Sequence, residues 1–176
     1  MRKFLFSLAL LFSLDASAQV TKAILTQDFA LPKNVFIKVP FRVAEFDVPI
    51  SSHAPGPGIG GNDTVSQLIP GGYFYAWNPG YYFFWGQVSF GKSCNGTRRT
   101  VAYLRNSDEQ KPFGTAGIPP PFLCDEAMTI QVNAFAKLDA GEWVTLNVFQ
   151  DAEDSLPIEA KAGTVAKTWV TVIRVQ

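Results

Sequence analysis

Histidine is almost missing from this chain: His53 is the only one, and cysteine and methionine occur twice each. One imidazole and two thiols fall short of the four ligands of a structural zinc site. His53 lies in a Pro/Gly loop with no acid or nucleophile placed beside it, so it reads as an exposed loop residue rather than a general base. Charge of one sign is also lacking, since 15 Lys and Arg balance 15 Asp and Glu. No basic patch forms, and nucleic acid is not an expected partner. No apolar run reaches the roughly 20 residues of a membrane span, so membrane insertion is not expected either. Helical periodicity never persists beyond one turn. Gly56-Pro57-Gly58 is far too short to be a collagen repeat. Gly56, Gly58, Gly60 and Gly61 lack the preceding strand, following helix and lysine of a phosphate cradle, and read as a loop. No cofactor is implied.

What the chain does have is aromatic side chains, concentrated in Tyr73–Phe90. Ten of those eighteen residues are Phe, Tyr or Trp. Such side chains favour the half-buried surface of a sheet and carry large apolar areas. Asn78-Pro79-Gly80 interrupts them with turn chemistry, because Pro presets φ and Gly accepts φ > 0. The stretch therefore reads as two strands, Tyr73–Trp77 and Tyr81–Phe90. Alternation in the second places Tyr82, Phe84, Gly86, Val88 and Phe90 on one face, and Tyr81, Phe83, Trp85, Gln87 and Ser89 on the other. Its first half is apolar on both faces and needs cover on both.

Residues 1–18 have the parts of a secretory signal: Arg2-Lys3, the apolar Phe4–Leu14, and Ala16-Ser17-Ala18 before Gln19. The uncleaved alternative is a short N-terminal anchor. Cleavage leaves 158 residues with 13 basic against 14 acidic side chains, a natural size for one domain. The compartment expected is secreted or extracellular, with the periplasm or cell surface as the bacterial equivalents. In an exported chain Cys94 and Cys124 read as one disulfide, two free thiols being the alternative. Closing a loop of about 31 residues is worth roughly 3–4 kcal/mol on the chain-entropy model.

Thr21–Phe29, Val35–Phe41 and Phe41–Phe46 read as the first strands, followed by the loop Pro49–Asn62. Val65–Ile69 is short. Asn95-Gly96 is a hairpin-type turn. Arg99–Arg105 is a strand, then Asn106–Asp125 is a long polar and Pro-rich connection. Met128–Leu138 alternates, with Ile130, Val132, Ala134, Ala136 and Leu138 against Gln131, Asn133 and Lys137. Glu142–Gln150, Leu156–Ala160 and Lys167–Val175 complete the set. About ten short strands with turns between them describe an all-β sandwich, barrel or jelly roll.

Three segments carry a resemblance. Gly72-Tyr73-Phe74, Pro79-Gly80-Tyr81-Tyr82-Phe83 and Val88-Ser89-Phe90 together resemble the central run of the C1q-like globular head, a member of the tumour-necrosis-factor-like jelly-roll class. Leu138–Gln150 is similar to its leucine, glycine-aspartate, valine, leucine strand, with Glu142 where the aspartate usually stands. Thr168-Trp169-Val170 is similar to its closing strand. Phe41–Asp47 resembles the first-strand region of bacterial and phage-borne relatives. The resemblance spans Phe36 to the C-terminus. It divides the chain into a signal peptide (1–18), an N-terminal segment (19–35) and a jelly-roll domain (36–176). It implies a secreted, non-enzymatic, trimeric recognition head. In that family the strands matching Tyr81–Trp85, Glu142–Gln150 and Thr168–Val175 lie together on the sheet lining the threefold axis. The trimer-interface residues implied are therefore Tyr81, Phe83, Trp85, Trp143, Phe149 and Trp169. The competing arrangement has Val20–Leu31 folded over that sheet in a monomer.

Further chemistry is sparse. Asp151, Glu153 and Asp154 offer part of a calcium shell, although a solvated acidic turn explains them as well. Asn62-Asp63-Thr64 and Asn95-Gly96-Thr97 are glycosylation sequons that matter only in a eukaryotic product. A glycosidase pairing Glu142 with Glu159 ranks last, there being no paired-acid motif. The favoured reading is a trimeric module that binds an extracellular protein or glycan through loops, Asn106–Asp125 foremost. The alternative is a structural trimeric subunit of a surface appendage, coat or phage-tail-like assembly.

Overall fold

The computed structural model describes residues 19–48, 66–69, 71–106, 108, 111–162 and 165–175. The expected signal peptide, His53, the Asn62 sequon and the Pro49–Asn62 loop lie outside the described residues. The strands are β1 (Gln19–Ile24), β2 (Phe29–Leu31), β3 (Ile37–Lys38), β4 (Val43–Val48), β5 (Ser66–Ile69), β6 (Tyr73–Ala76), β7 (Gly80–Phe90) and β8 (Arg99–Arg105). They continue with β9 (Gly114–Ile118), β10 (Met128–Leu138), β11 (Trp143–Gln150), β12 (Leu156–Glu159), β13 (Lys161–Ala162), β14 (Val165–Ala166) and β15 (Trp169–Val175).

Two antiparallel sheets hold all but the small β13–β14 hairpin. The larger is built around β7. One edge of β7 pairs along its whole length with β10. Its other edge pairs with β15 over Tyr81–Gln87 and with β12 at Ser89 and Phe90. Beyond β15 come β1 and β4, and beyond β12 comes β2. The smaller sheet runs β5-β6-β11-β8-β9, with β3 beside β6 on the same edge of β11.

The alternation read from the sequence decides what lies between the sheets. Tyr82, Phe84, Val88 and Phe90 of β7 are buried against Phe74, Tyr103, Val144 and Leu146 of the facing sheet. The ring of Phe74 meets Tyr82 and Phe84 edge-on at 5.6 and 5.3 Å, the geometry that ring quadrupoles favour. Ile130, Val132 and Ala134 extend this layer along β10, while Gln131 and Asn133 face outward.

Three expectations change. The Asn106–Asp125 connection contains a strand, β9, paired with β8 from Tyr103 to Arg99. Gly114-Thr115-Ala116-Gly117-Ile118 has no alternation to reveal it; edge pairing with an already formed strand makes it extended. The expected N-terminal segment 19–35 supplies β1 and β2 to the larger sheet. Val20–Ile24 thus lengthens that sheet edge to edge and does not lie across its face. Finally, β11 is not beside β7 and β15 but in the opposite sheet, between β6 and β8. Its apolar residues on both faces fit a central strand of either sheet, so the pattern alone does not choose.

Candidate functional site

The outward face of the larger sheet is organised in rows by strand register. Tyr81 lies between Lys137 of β10 and Val175 of β15. Phe83 lies between Phe135 and Ile173, Trp85 between Asn133 and Thr171, and Gln87 between Gln131 and Trp169. On the far side of β15, β1 continues these rows with Val20 beside Ile173, Lys22 beside Thr171 and Ile24 beside Trp169. Period-2 geometry puts all of these side chains on the face away from the core.

The face is apolar and open. Phe135 is 58% exposed and Trp85 43% exposed, while Phe83, Trp169 and Ile173 are half-buried by their neighbours. Tyr81 stacks on Phe135 with ring centroids 5.6 Å apart. Trp85 meets Trp169 edge-to-face at 5.0 Å, and Lys22 Nζ sits 5.9 Å from the Trp169 ring. At the other end, Gln131 Nε2 donates to Gln87 Oε1 at 3.1 Å, and Gln87 Nε2 donates to the Lys167 carbonyl at 3.0 Å. One end of the face is therefore aromatic and aliphatic, the other a glutamine lattice. Clustered large side chains of this kind exceed the scattered apolar exposure normal for a monomer surface.

Four of the six residues singled out from the sequence, Tyr81, Phe83, Trp85 and Trp169, meet on this face. Trp143 and Phe149 do not, because β11 belongs to the other sheet. Trp143 is half-buried, and its backbone N–H donates to Asn106 Oδ1. Phe149 packs against the Phe36 ring at 5.2 Å with the Arg98 guanidinium 5.0 Å away. Both have intramolecular neighbours. Phe135 was passed over. Its place among Gln131, Asn133 and Lys137, on the polar side of the β10 alternation, was the signal that could have found it.

The disulfide Cys94–Cys124 is formed, with Cα atoms 4.4 Å apart. It ties the loop after β7 to the loop after β9. Next to it, Asp151 accepts from the Thr97 and Arg98 backbone N–H groups, both at 2.8 Å, and from the Thr97 hydroxyl. Arg99, 1% exposed, places Nη1 3.7 Å from Asp151 and donates from Nη2 to the Asn95 carbonyl. Burial pushes the Asp151 carboxyl up, but the bonds from Thr97 and Arg98 outweigh it and hold the pKa down to about 2. Gly96 in this turn has φ +84°, and a Cβ there would stand 2.5 Å from Asp151 Oδ1, so Asn95-Gly96 serves the turn. Asp151 is committed to shaping this loop. No cluster of three or more metal-ligating side chains occurs among the described residues.

The two carboxylates considered for glycoside chemistry are also engaged. Glu142 forms a bidentate pair with Arg105 and accepts from the Asp139 N–H at 2.7 Å. The Arg105 bond is the main reason its pKa is lowered, which is the wrong direction for a general acid. Glu159 accepts from Lys167 Nζ at 2.6 Å and from the Ser89 hydroxyl at 3.0 Å. Glu142 precedes β11 in one sheet and Glu159 ends β12 in the other.

The arrangement of strands matches solved tumour-necrosis-factor-like jelly rolls. The crystal structure of murine APRIL at pH 5.0 superposes with a TM-score of 0.62 at 11% identity, covering 89% of this chain and 98% of that one. The structure of Eiger TNF from S. frugiperda gives 0.58 at 12% identity, covering 92% and 93%. No family model and no curated protein sequence matches the chain. The fold is that of a C1q/TNF-like jelly roll, as the sequence resemblance implied.

Proposed function

We propose that this protein is an exported, non-enzymatic recognition head that assembles as a homotrimer through the outward face of β7, β10 and β15. The observation that carries the reading is that face: Tyr81, Phe83, Trp85, Phe135, Trp169, Ile173 and Val175 form one apolar surface on a sheet whose other side is already the core. Burying one such aromatic is worth roughly 1.5–3 kcal/mol per chain. Several per protomer, multiplied over three protomers, offset the entropy lost on association. The TNF-like fold and the disulfide support the assembly and the export that go with it. Assembly occupies this face and leaves loops at the sandwich ends, those around Lys92–Asn95 and Asp154 among them, to meet a protein or glycan surface. One such end holds a polar cleft of about 390 Å³ beside the disulfide, lined by Lys92, Ser93, Asn95 and Asp154 among others.

Gel filtration with light scattering on the mature protein tests the assembly. The expected mass is three chains, falling to one in Trp85→Glu or Phe135→Glu. Phe149→Leu, on the other sheet, is expected to keep the threefold mass. A single-chain mass for the wild type at micromolar concentration overturns the trimer.

A further inference from the structure

A second exposed apolar surface stands away from the aromatic face. Ile118-Pro119-Pro120-Pro121-Phe122-Leu123 is an unbroken apolar run at the end of β9 and in the loop after it. Phe122 is 98% exposed, Leu123 51% and Ile118 41%. A run of this kind on a surface is a fault unless something covers it. The loop is also stiff. Three consecutive prolines have fixed φ, and the next residue after Leu123 is Cys124, bonded to Cys94. Holding Phe122 and Leu123 in place therefore costs little entropy at the moment of binding.

Symmetry and charge say what covers it. Closing three identical subunits into a ring requires contacts between two different surfaces, one from each neighbour. The aromatic face supplies one. Among the outward side chains of β1, β7, β10 and β15, the charged ones are Lys22 and Lys137, with no carboxylate. The loop has the opposite sign, because Asp125 and Glu126 follow the disulfide and are exposed. Glu159, the carboxylate on neighbouring β12, is already paired with Lys167, so the charges of the loop and of these strands are of opposite sign.

We propose that the second surface is this loop: Phe122 and Leu123 of one protomer seat on the aromatic face of the next, with Asp125 and Glu126 toward Lys137, which stands beside Tyr81 on β10. The occupant is a second copy of this chain. The inference rests on the homotrimer reading and adds which surface meets which.

Two measurements on the full mature protein test it. The first is the Phe122→Ser/Leu123→Ser double variant; Phe122 is fully exposed and Leu123 half exposed, and neither belongs to the core, so the fold and the disulfide are kept. The protomer concentration at half-dissociation is expected to rise on the order of 100-fold, from the apolar area no longer buried. The second places a photoreactive benzoylphenylalanine at position 122. Irradiation is expected to give an inter-chain adduct mapping to Tyr81–Gln87, Asn133–Lys137 or Trp169–Val175 of the neighbour. A wild-type trimer whose double variant dissociates at an unchanged concentration overturns this inference alone, as does an adduct confined to other segments or to a foreign molecule. A single-chain mass for the wild type overturns the inference together with the trimer.

Discussion

Gly86 and Tyr103 form the most exacting test of the packing. Gly86 is in the middle of β7 on its core-facing side, and Tyr103 comes from β8 across the sandwich. A Cβ on Gly86 would stand 2.6 Å from Tyr103 Oη, 3.2 Å from Leu146 Cδ2 and 3.5 Å from Tyr103 Cζ. The phenol has nowhere to retreat: it is 1% exposed, and Oη has no hydrogen-bond partner. Burial pushes its pKa well above the ordinary tyrosine value, so it stays neutral throughout. Gly86→Ala gains about 0.5–1 kcal/mol from the backbone freedom glycine loses in a strand. Overpacking against a rigid core costs about 1–3 kcal/mol; the 2.6 Å approach puts this site at the upper end, so the net effect is destabilising by about 2 kcal/mol. Tyr103→Phe deletes a buried hydroxyl without a partner and is expected to be neutral or stabilising by about 1 kcal/mol. It also deletes the atom at 2.6 Å. In that background the closest atoms to the new methyl are Leu146 Cδ2 at 3.2 Å, a tight contact with the end of a flexible side chain, and a ring carbon at an ordinary 3.5 Å. The cost of Gly86→Ala should fall to near zero, a coupling of about 2 kcal/mol. Urea unfolding of all four proteins at one protomer concentration measures it, since association otherwise enters the apparent stability. Equal costs of Gly86→Ala in both backgrounds, or a loss above 1 kcal/mol for Tyr103→Phe, would refute the packing argument.

Two further outcomes follow from the disulfide end. Cys94→Ser is expected to lower stability by no more than about 3–4 kcal/mol, and non-reducing peptide mapping should recover Cys94 linked to Cys124; alkylation of both thiols in exported protein contradicts this. Asp151 has a folded pKa near 2, below its unfolded value, so its stabilisation is present above about pH 4 and is lost as pH falls toward 2. Asp151→Asn should lower the melting temperature at pH 6 and flatten the acid loss between pH 4 and 2; an acid profile unchanged by the substitution sinks the assignment.

Local chemistry made much of this fold legible. Arg99–Arg105 and Met128–Leu138 were bounded correctly because alternation and turn residues act over a few positions. The same alternation placed Tyr81, Phe83 and Trp85 together opposite Tyr82 and Phe84, and the turn residues Asn78-Pro79-Gly80 separated β6 from β7. Phe135, the one aromatic among Gln131, Asn133 and Lys137, was legible as a break in the β10 alternation, whereas β9 was hidden by the absence of any pattern in a glycine-containing edge strand.

The sequence by itself determined which side chains of each strand share a face, since the two-residue repeat of an extended chain is a local property. It also determined that the central strand carries more apolar surface than one core can absorb. Only the tertiary structure decided which strands are neighbours. Trp143 and Phe149 lie on a strand that, like β7, carries aromatic side chains on the face opposite its core residues. The sheet it joins is set by hydrogen bonds to β6 and β8, partners about 40–70 residues away in sequence. That choice separated them from the aromatic face and brought Phe135 into register with Phe83 and Ile173. Pairing is long-range and cooperative, and side-chain alternation is neither.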